Sequence, residues 1–125
     1  MSEAIVFISH NRVKPGQFDG LRSFAPEITD IIRESKPGTE VFLSYADPEG
    51  TEAHVIHVFP DAEAMQRHLE GLDERASKAF EFMETTAYEI YGSPGDQILE
   101  MMRGMAASMG VALAVWPNNL AGYLR

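Results

Sequence analysis

The strands predicted for this chain are apolar on both faces, and this constrains the fold more than any other feature of the sequence. The segment AIVFISHNRV (Ala4–Val13) is rich in β-branched and aromatic residues, which favours a strand. Successive side chains of a strand point to opposite sides, so Phe7 and Ile8 lie on different faces. The segment EVFLSYA (Glu40–Ala46) has the same two-sided pattern. Both faces of the resulting sheet must therefore be covered by other apolar surface.

Helices and further strands alternate with these segments in the order β–α–β–β–α–β. Apolar residues at helical spacing predict a first helix over about Gln17–Glu34, which Pro26 should bend. The segment AHVIHVF (Ala53–Phe59) is the return strand of a hairpin, and a second helical stripe, broken in two by Gly71, follows it. The segment TTAYEIYG (Thr85–Gly92) is a fourth strand. This order is typical of the α+β, ferredoxin-like split βαβ fold with an antiparallel sheet.

A further helix and strand are predicted after this core. Ser93 is a candidate N-cap, Pro94 would lie in the first turn of the helix, and Gly110 is its stop. VALAVWP is then a fifth short strand. With 125 residues and neither a linker nor a repeat, we expect one domain over residues 1–125. Its core spans about residues 4–92, and a helix–strand appendage spans about residues 93–125.

The second apolar face of the sheet predicts self-association. The helices of a ferredoxin-like sheet cover one face, so the other would lie bare on a single copy. An apolar patch of that size is normally an interface. We therefore expect a homodimer whose two sheets pack face to face, which forms a dimeric α/β barrel.

Composition excludes several other classes of function. The net charge of −9, from 19 acidic and 10 basic residues, disfavours binding to nucleic acids or anionic membranes. The absence of cysteine excludes disulfides and thiolate metal sites. No apolar run approaches the roughly 20 residues of a membrane span, and MSEAIVFISHNR lacks the features of a signal peptide. We expect a cytoplasmic protein.

Three segments, VKPGQFDGLRSF, HVIHVFPDAEAMQRHLEG and YEIYGSP, resemble the antibiotic biosynthesis monooxygenase (ABM) type of dimeric α/β barrel. Members of that family have a strand that ends in K-P-G before the first helix. A later strand with an aromatic residue leads through an acidic turn into the motif E-A-hydrophobic-x-x-H-L. Val13–Phe18 and Phe59–Gly71 match this layout, and the similarity covers roughly Ala4 to Gly92. The resemblance implies either cofactor-independent oxygenation of aromatic polyketides and quinols or haem degradation.

The residues at the haem-degrading positions favour the first activity. That branch of the family uses an asparagine on the first strand, a tryptophan on the second helix and a histidine that binds iron. The corresponding positions here hold Ser9, His68 and Lys78, and lysine binds ferric iron poorly. Asn11 lies two residues from the asparagine position and on the same face. The resemblance thus disfavours haem degradation, and we expect no bound cofactor.

Three of the four histidines lie between His54 and Gly71. His54 and His57 are three positions apart, which is an odd number, so they face opposite sides of their strand. They cannot share a metal ion from one face, and zinc needs three or four converging ligands. We therefore expect no metal site. His10 is predicted to lie near the dimer seam or the sheet edge, and the acidic run DERASKAFEFMET is predicted to be a solvated face.

The two remaining histidines are the candidate catalytic residues. If the odd-numbered face looks at the helices, His57 and His68 border one cavity, and a neutral imidazole there can take a proton from a phenol or quinol. The predicted substrate-binding residues are Phe7, Ser9, Asn11, Phe59, Met65 and Tyr88. Alternatively, His57 is a hydrogen-bonded core residue and His68 a half-exposed helix residue.

Three hypotheses about function follow. The first is a homodimeric monooxygenase that oxidises a small aromatic or quinol-like molecule between sheet and helices without a cofactor. The second is a non-catalytic homodimer that binds a small apolar ligand. The third is a structural or regulatory dimer with a filled core, which predicts that no cavity exists.

Overall fold

The computed structural model describes residues 3–125, except for the side chain of Asp73. The helices and strands follow the predicted β–α–β–β–α–β order with a helix–strand appendage. Their bounds are β1 (Ile5–Val13), α1 (Phe18–Ser35), β2 (Val41–Ala46), β3 (Glu52–Phe59), α2 (Ala62–Leu69), α3 (Leu72–Ala79), β4 (Met83–Tyr91), α4 (Asp96–Met109) and β5 (Ala112–Trp116). The α+β, ferredoxin-like fold class is confirmed.

The strands form a five-stranded sheet in the order β2-β3-β1-β4-β5. The pairs β2–β3, β3–β1 and β1–β4 are antiparallel, as the ferredoxin-like pattern requires. The appendage adds β5 beside β4 in parallel orientation. A parallel pair needs a crossover connection, and α4 provides it.

The side chains on the inner face of the sheet, the face that packs against the helices, form a core at each end of the strands. The larger core cluster contains Ile5, Phe7, Phe59, Ala64, Met65, Leu69, Tyr88, Ile90, Ile98, Met102 and Ala106. The smaller cluster contains Val13, Leu21, Phe24 and Ala53. Ser9 and Asn11 on β1, and Val55 and His57 on β3, lie between the two clusters along their strands. The middle of the inner face is therefore where a site can form.

The outer face of the sheet is also apolar. Ile8 pairs with Ile56 on β3, which pairs in turn with Leu43 on β2. Leu43, Tyr45 and Trp116 on the edge strands are 45%, 61% and 58% exposed. The predicted two-sided character of the sheet is confirmed, and the outer face remains open to solvent in a single copy.

Three local predictions about the helices have different outcomes. Gly71, at φ +76°, separates α2 from α3 as predicted. Ser93 is not an N-cap: α4 begins at Asp96 with Gly95 (φ +98°) before it, and the Ser93 hydroxyl donates to the Pro117 carbonyl at 3.3 Å. The residue before the helix is Gly95, whose positive φ is strained for any residue with a side chain, so the helix begins later than predicted. Pro26 lies within α1 without ending it.

Within residues 3–125, no helix is both long enough and apolar enough to cross a membrane.

Candidate active site

A cavity of about 690 Å³ lies between the middle of the inner face and helices α1 and α3. Pockets for small molecules commonly measure roughly 300–1,000 Å³. The walls are mainly apolar, with aromatic and aliphatic side chains of α1 opposite the sheet. A filled core, which the third hypothesis predicted, is therefore contradicted.

Two histidines form part of the wall. His57 comes from β3 and His68 from α2, and their ring centroids are 4.8 Å apart with the rings nearly perpendicular, at 77°. They are 5% and 3% exposed, and both line the cavity. The prediction that the odd-numbered face of β3 looks at the helices is confirmed. Burial also shows that His68 is not the half-exposed helix residue of the alternative interpretation.

The orientation of His57 is fixed by the backbone of β1. Its Nδ1 lies 2.9 Å from the carbonyl oxygen of Phe7, its partner in the strand register. A carbonyl only accepts hydrogen bonds, so Nδ1 carries the proton and donates it. In the neutral ring, the lone pair is therefore on Nε2.

His68 is positioned by its helix and by a threonine. The carboxylate of Asp61 accepts a hydrogen bond from the backbone N–H of Ala64 at 2.9 Å, which caps the start of α2. One turn later, Nδ1 of His68 lies 2.8 Å from the hydroxyl of Thr39, in the connection before β2. The Phe59 ring packs beside it at 5.2 Å. The threonine leaves Nε2 of His68 as the nitrogen without a partner among the described side chains.

Burial determines the protonation of both histidines. It lowers the pKa of His57 from 6.5 to about 4, although the hydrogen bond to Phe7 acts in the opposite direction. It lowers the pKa of His68 to about 3, with further contributions from the charges of His57, Arg75 and Lys36. Both rings are therefore neutral at pH 7, because burial removes the hydration that would stabilise their charged form.

A hydrogen-bonded polar cluster lies beside the histidines. Asn11 is 1% exposed, and its amide nitrogen donates to the Ala53 carbonyl and to the Ser9 hydroxyl, each at 3.2 Å. Its amide oxygen accepts from the Thr85 hydroxyl at 2.8 Å. A register shift in the β1–β4 pairing between His10 and Asn11 turns this side chain towards Thr85. Because the Ser9 oxygen accepts from Asn11, its own proton is free to be donated into the cavity.

The structure brings together six of the eight predicted site residues on the cavity wall: Phe7, Ser9, Asn11, His57, His68 and Tyr88. Phe59 and Met65 do not lie on this wall. Both are fully buried in the larger core cluster behind the histidines. Phe59 has the predicted parity but lies beyond the cavity along β3, and Met65 faces the core one turn before His68. Whether the six lining residues bind a substrate remains a prediction.

Tyr88 connects the cavity wall to the appendage. Its ring stacks on Phe7 at 5.6 Å, and its hydroxyl contacts the Met109 sulfur at 3.7 Å. Burial raises the pKa of this phenol. Tyr88 therefore stays protonated near neutral pH and serves as part of the wall.

Two polar residues of the site were missed by the sequence interpretation. Arg75 was predicted to lie on a solvated acidic face. Instead it lines the cavity beside Leu72 and Ala76, which form the apolar stripe of α3. Its position beside that stripe is the signal that was available. Thr39 lies in a turn, where the sequence carries no periodic signal for orientation.

The other two histidines lie on the outer face. Nδ1 of His10 is 3.2 Å from Nε2 of His54, and the other nitrogen of His10 contacts the Glu89 carboxylate. His54 also lies 3.3 Å from the Glu52 carboxylate. The predicted placement of His54 and His57 on opposite faces is confirmed by the register. In the part of the chain that the structure describes, no group of three or more His, Asp or Glu side chains is arranged to hold a metal ion.

No protein-family model and no curated protein matches the sequence. MupZ from Pseudomonas fluorescens is 18% identical with a TM-score of 0.77, over 98% of this chain and 96% of its own. SnoaB from Streptomyces nogalater, described as a cofactor-independent oxygenase, is 17% identical with a TM-score of 0.56, over 76% of this chain and 97% of its own. A Chloroflexus aurantiacus protein, provisionally named an antibiotic biosynthesis monooxygenase, is 17% identical with a TM-score of 0.58, over 75% of this chain and 96% of its own.

At these identities the likeness concerns the fold. The resemblance seen in the three sequence segments is confirmed at that level. The match to MupZ extends over nearly the whole chain, whereas the other two leave about a quarter of it uncovered. The chain therefore has the ferredoxin-like fold of the antibiotic biosynthesis monooxygenase structures.

Proposed function

We propose that this protein is a cofactor-independent monooxygenase that oxidises a small aromatic or quinol-like molecule in its cavity. The observation that carries the proposal is the pair of buried, neutral imidazoles of His57 and His68 on the wall of an apolar cavity. The description of SnoaB, which has this fold, as a cofactor-independent oxygenase supports it.

The proposed reaction needs a base beside the bound substrate. Removal of a phenolic proton gives an electron-rich phenolate, which transfers an electron to O₂. Recombination forms a carbon–oxygen bond, and loss of water then leaves one oxygen atom in the product. A quinol and O₂ thus yield a hydroxyquinone and one water, and the quinol supplies all the electrons. The protein contributes proton removal and orientation of the substrate within an apolar cavity.

The two histidines divide these roles according to their hydrogen bonds. His57 is the proton acceptor, because the Phe7 carbonyl holds its proton on Nδ1 and leaves the Nε2 lone pair unused. Burial gives it a pKa of about 4 before a charged guest is considered. A phenolate formed beside it supplies an opposite charge in a medium of low dielectric, which raises that pKa and favours proton transfer. His68, held by Thr39, orients the substrate.

Alanine substitutions test these roles. Oxygen uptake with 1,4-dihydroxynaphthalene should fall by about 100-fold or more in His57→Ala, since general-base catalysis contributes roughly 10²–10⁴-fold. His68→Ala should also be slower. The matched control is His54→Ala, which removes a histidine from the opposite face of the same strand and should retain the wild-type rate. Unchanged rates in both His57→Ala and His68→Ala, with folding verified by circular dichroism, would contradict the proposal.

A second candidate function is binding without turnover. It is favoured by the low pKa of both histidines, which makes them weak bases before a ligand arrives. A panel of quinols and hydroxy-aromatics, incubated with the protein under oxygen, separates the two functions. Thermal stabilisation without product would favour binding, whereas product formation would favour the enzyme.

The apolar outer face is proposed to be covered by a second copy of the chain. Its exposed side chains Leu43, Tyr45 and Trp116 extend the apolar Ile8–Ile56 pair at the middle of the sheet. A two-fold axis would bring this surface against itself and bury it on both copies.

Sedimentation at micromolar concentration tests this assembly. The wild type should sediment as a dimer. Leu43→Lys should favour single subunits, because its dimer would bury an unpaired charge. Ile31→Lys, a change of equal charge at an exposed residue of α1, is the control and should leave the dimer intact. A wild-type protein that sediments as a stable single subunit would contradict the proposal.

A further inference from the structure

The charge on the cavity wall is opposite in sign to the charge of the chain. The sequence has a net charge of −9, yet the charged side chains described on the wall are Arg22, Arg33, Arg75 and Asp30. Asp30 is paired with Arg33 at 3.0 Å, near the exposed surface of α1. Arg22 and Arg75 thus leave an excess of positive charge around a cavity in an acidic protein. A cavity with this local sign attracts anions.

Arg75 is the most deeply placed of these cations. It is half-buried on α3, and burial lowers its pKa from 12.5 without making it neutral at ordinary pH. Its positive charge also lowers the pKa of both His57 and His68, so its field reaches the histidine pair. The salt bridges among the described side chains do not include it.

The contacts of Arg75 hold it in place without neutralising its charge. One guanidinium nitrogen donates to the Glu70 carbonyl at 2.9 Å and another to the His68 carbonyl, at the end of α2. These oxygens carry only the partial charge of a helix terminus. The same terminus already has a cation, because the Lys36 ammonium donates to the carbonyls of Arg67 (2.6 Å) and Glu70 (3.0 Å). The end of α2 therefore does not account for a second cation beside the cavity.

We infer that the cavity takes an aromatic molecule that also carries an acidic group, typically a carboxylate, and that this group pairs with Arg75 while the ring lies beside His57 and His68. The identity of the guest as an aromatic rests on the proposed function. An acidic group entering an apolar cavity loses hydration, and a fixed guanidinium offsets that loss. A neutral molecule of the same shape leaves Arg75 without a counter-charge and binds more weakly.

The test compares two quinols that differ by one carboxylate: 1,4-dihydroxynaphthalene and 1,4-dihydroxy-2-naphthoic acid. Calorimetry without oxygen measures binding independently of turnover. The wild type should bind the acid about tenfold more tightly or better, as expected for a charge-assisted pair. Arg75→Gln should abolish this preference, and Arg75→Lys should retain part of it. Arg103→Gln, which removes an equal charge at an exposed residue of α4 outside the cavity lining, should keep the full preference.

The ratio of the two affinities distinguishes recognition from a purely structural role. If Arg75 only stabilised the end of α2, its loss would weaken both ligands alike and leave their ratio unchanged. Equal binding of the two quinols to the wild type, or a preference that survives in Arg75→Gln, would overturn the inference. If Arg75→Gln does not fold, added KCl on the wild type gives the same information: it should weaken the acid selectively, and equal effects on both ligands would overturn the inference.

The inference and the proposed function can fail separately. A wild-type preference for the acid that depends on Arg75, found together with no oxygen uptake by the wild type in air, would support acid recognition and remove the monooxygenase. Oxygen uptake with both quinols, together with equal affinities for them, would support the monooxygenase and remove acid recognition.

Discussion

A pair of histidines in contact lies on each side of the sheet, and the two pairs differ in their surroundings. On the inner face, the ring centroids of His57 and His68 are 4.8 Å apart; on the outer face, those of His10 and His54 are 4.2 Å apart. In the inner pair, His57 is hydrogen-bonded to a neutral carbonyl and His68 to a neutral hydroxyl. The outer pair contacts carboxylates and remains partly exposed.

The difference shows that the surroundings of a histidine, rather than its proximity to another, decide its chemistry. Burial holds the inner imidazoles neutral, and the lone pair on Nε2 of His57 remains available to a guest molecule. On the outer face, the Glu89 carboxylate already accepts from Tyr91 and contacts His10, and these hydrogen bonds lower its pKa. The outer pair is thus in contact with carboxylates, and only the inner pair borders a cavity.

The largest expected effect that tests this comparison is the loss of stability in acid. The folded-state pKa values of His57 and His68 lie below the unfolded value of 6.5, so the unfolded chain binds more protons below that pH. Their contribution is present above pH 6.5 and is lost as the pH falls towards about 4 and 3. At pH 5 each should have lost about 2 kcal/mol. Urea unfolding at pH 7.5 and 5 measures the combined loss.

Double variants assign this loss to one face. His57→Leu/His68→Leu should remove most of the pH dependence between these two values, because leucine has no proton to bind. His10→Leu/His54→Leu should retain it. An equal pH dependence in the wild type and the inner double variant would show that the buried pair is not held neutral, and the contrast between the faces would disappear.

A smaller effect is expected from neighbouring residues of β1 that point to opposite faces. Asn11→Ala removes the hydrogen bonds to Ala53 and Thr85 on the inner face, and should lower the free energy of unfolding by about 2–3 kcal/mol. Arg12→Ala removes only the exposed ion pair with Glu84, at 2.8 Å, and is expected to change stability least. Urea unfolding at pH 7.5 measures both. A loss in Arg12→Ala as large as that in Asn11→Ala would contradict the assignment of stability to the inner network.

Much of this architecture follows from periodicity in the sequence. The alternation in β1 and β3 predicts which side chains share a face, and this placed Ser9, Asn11 and His57 correctly relative to one another. Helical spacing with a glycine interruption predicted the division of α2 from α3. These features are local, so a single sequence contains the information for them.

How deeply a residue is buried, and which distant residues it contacts, do not follow from local periodicity. Parity puts Phe59 on the inner face but does not tell where along β3 the cavity ends and the core begins. Arg75 was missed because its direction depends on how α3 leaves Gly71, a conformation that the acidic composition of the segment does not reveal. The start of α4 was misplaced because the turn through Gly92 and Gly95 uses the backbone freedom of glycine, whereas the prediction relied on the side chain of Ser93.

The crossover through α4 has a consequence for how the site can be altered. Met105 is the part of this helix that reaches the cavity wall, whereas the histidines, the Asn11 cluster and Arg75 all come from the β–α–β–β–α–β core. A substitution at Met105 would therefore change the length of guest that fits while leaving the proton-handling groups in place.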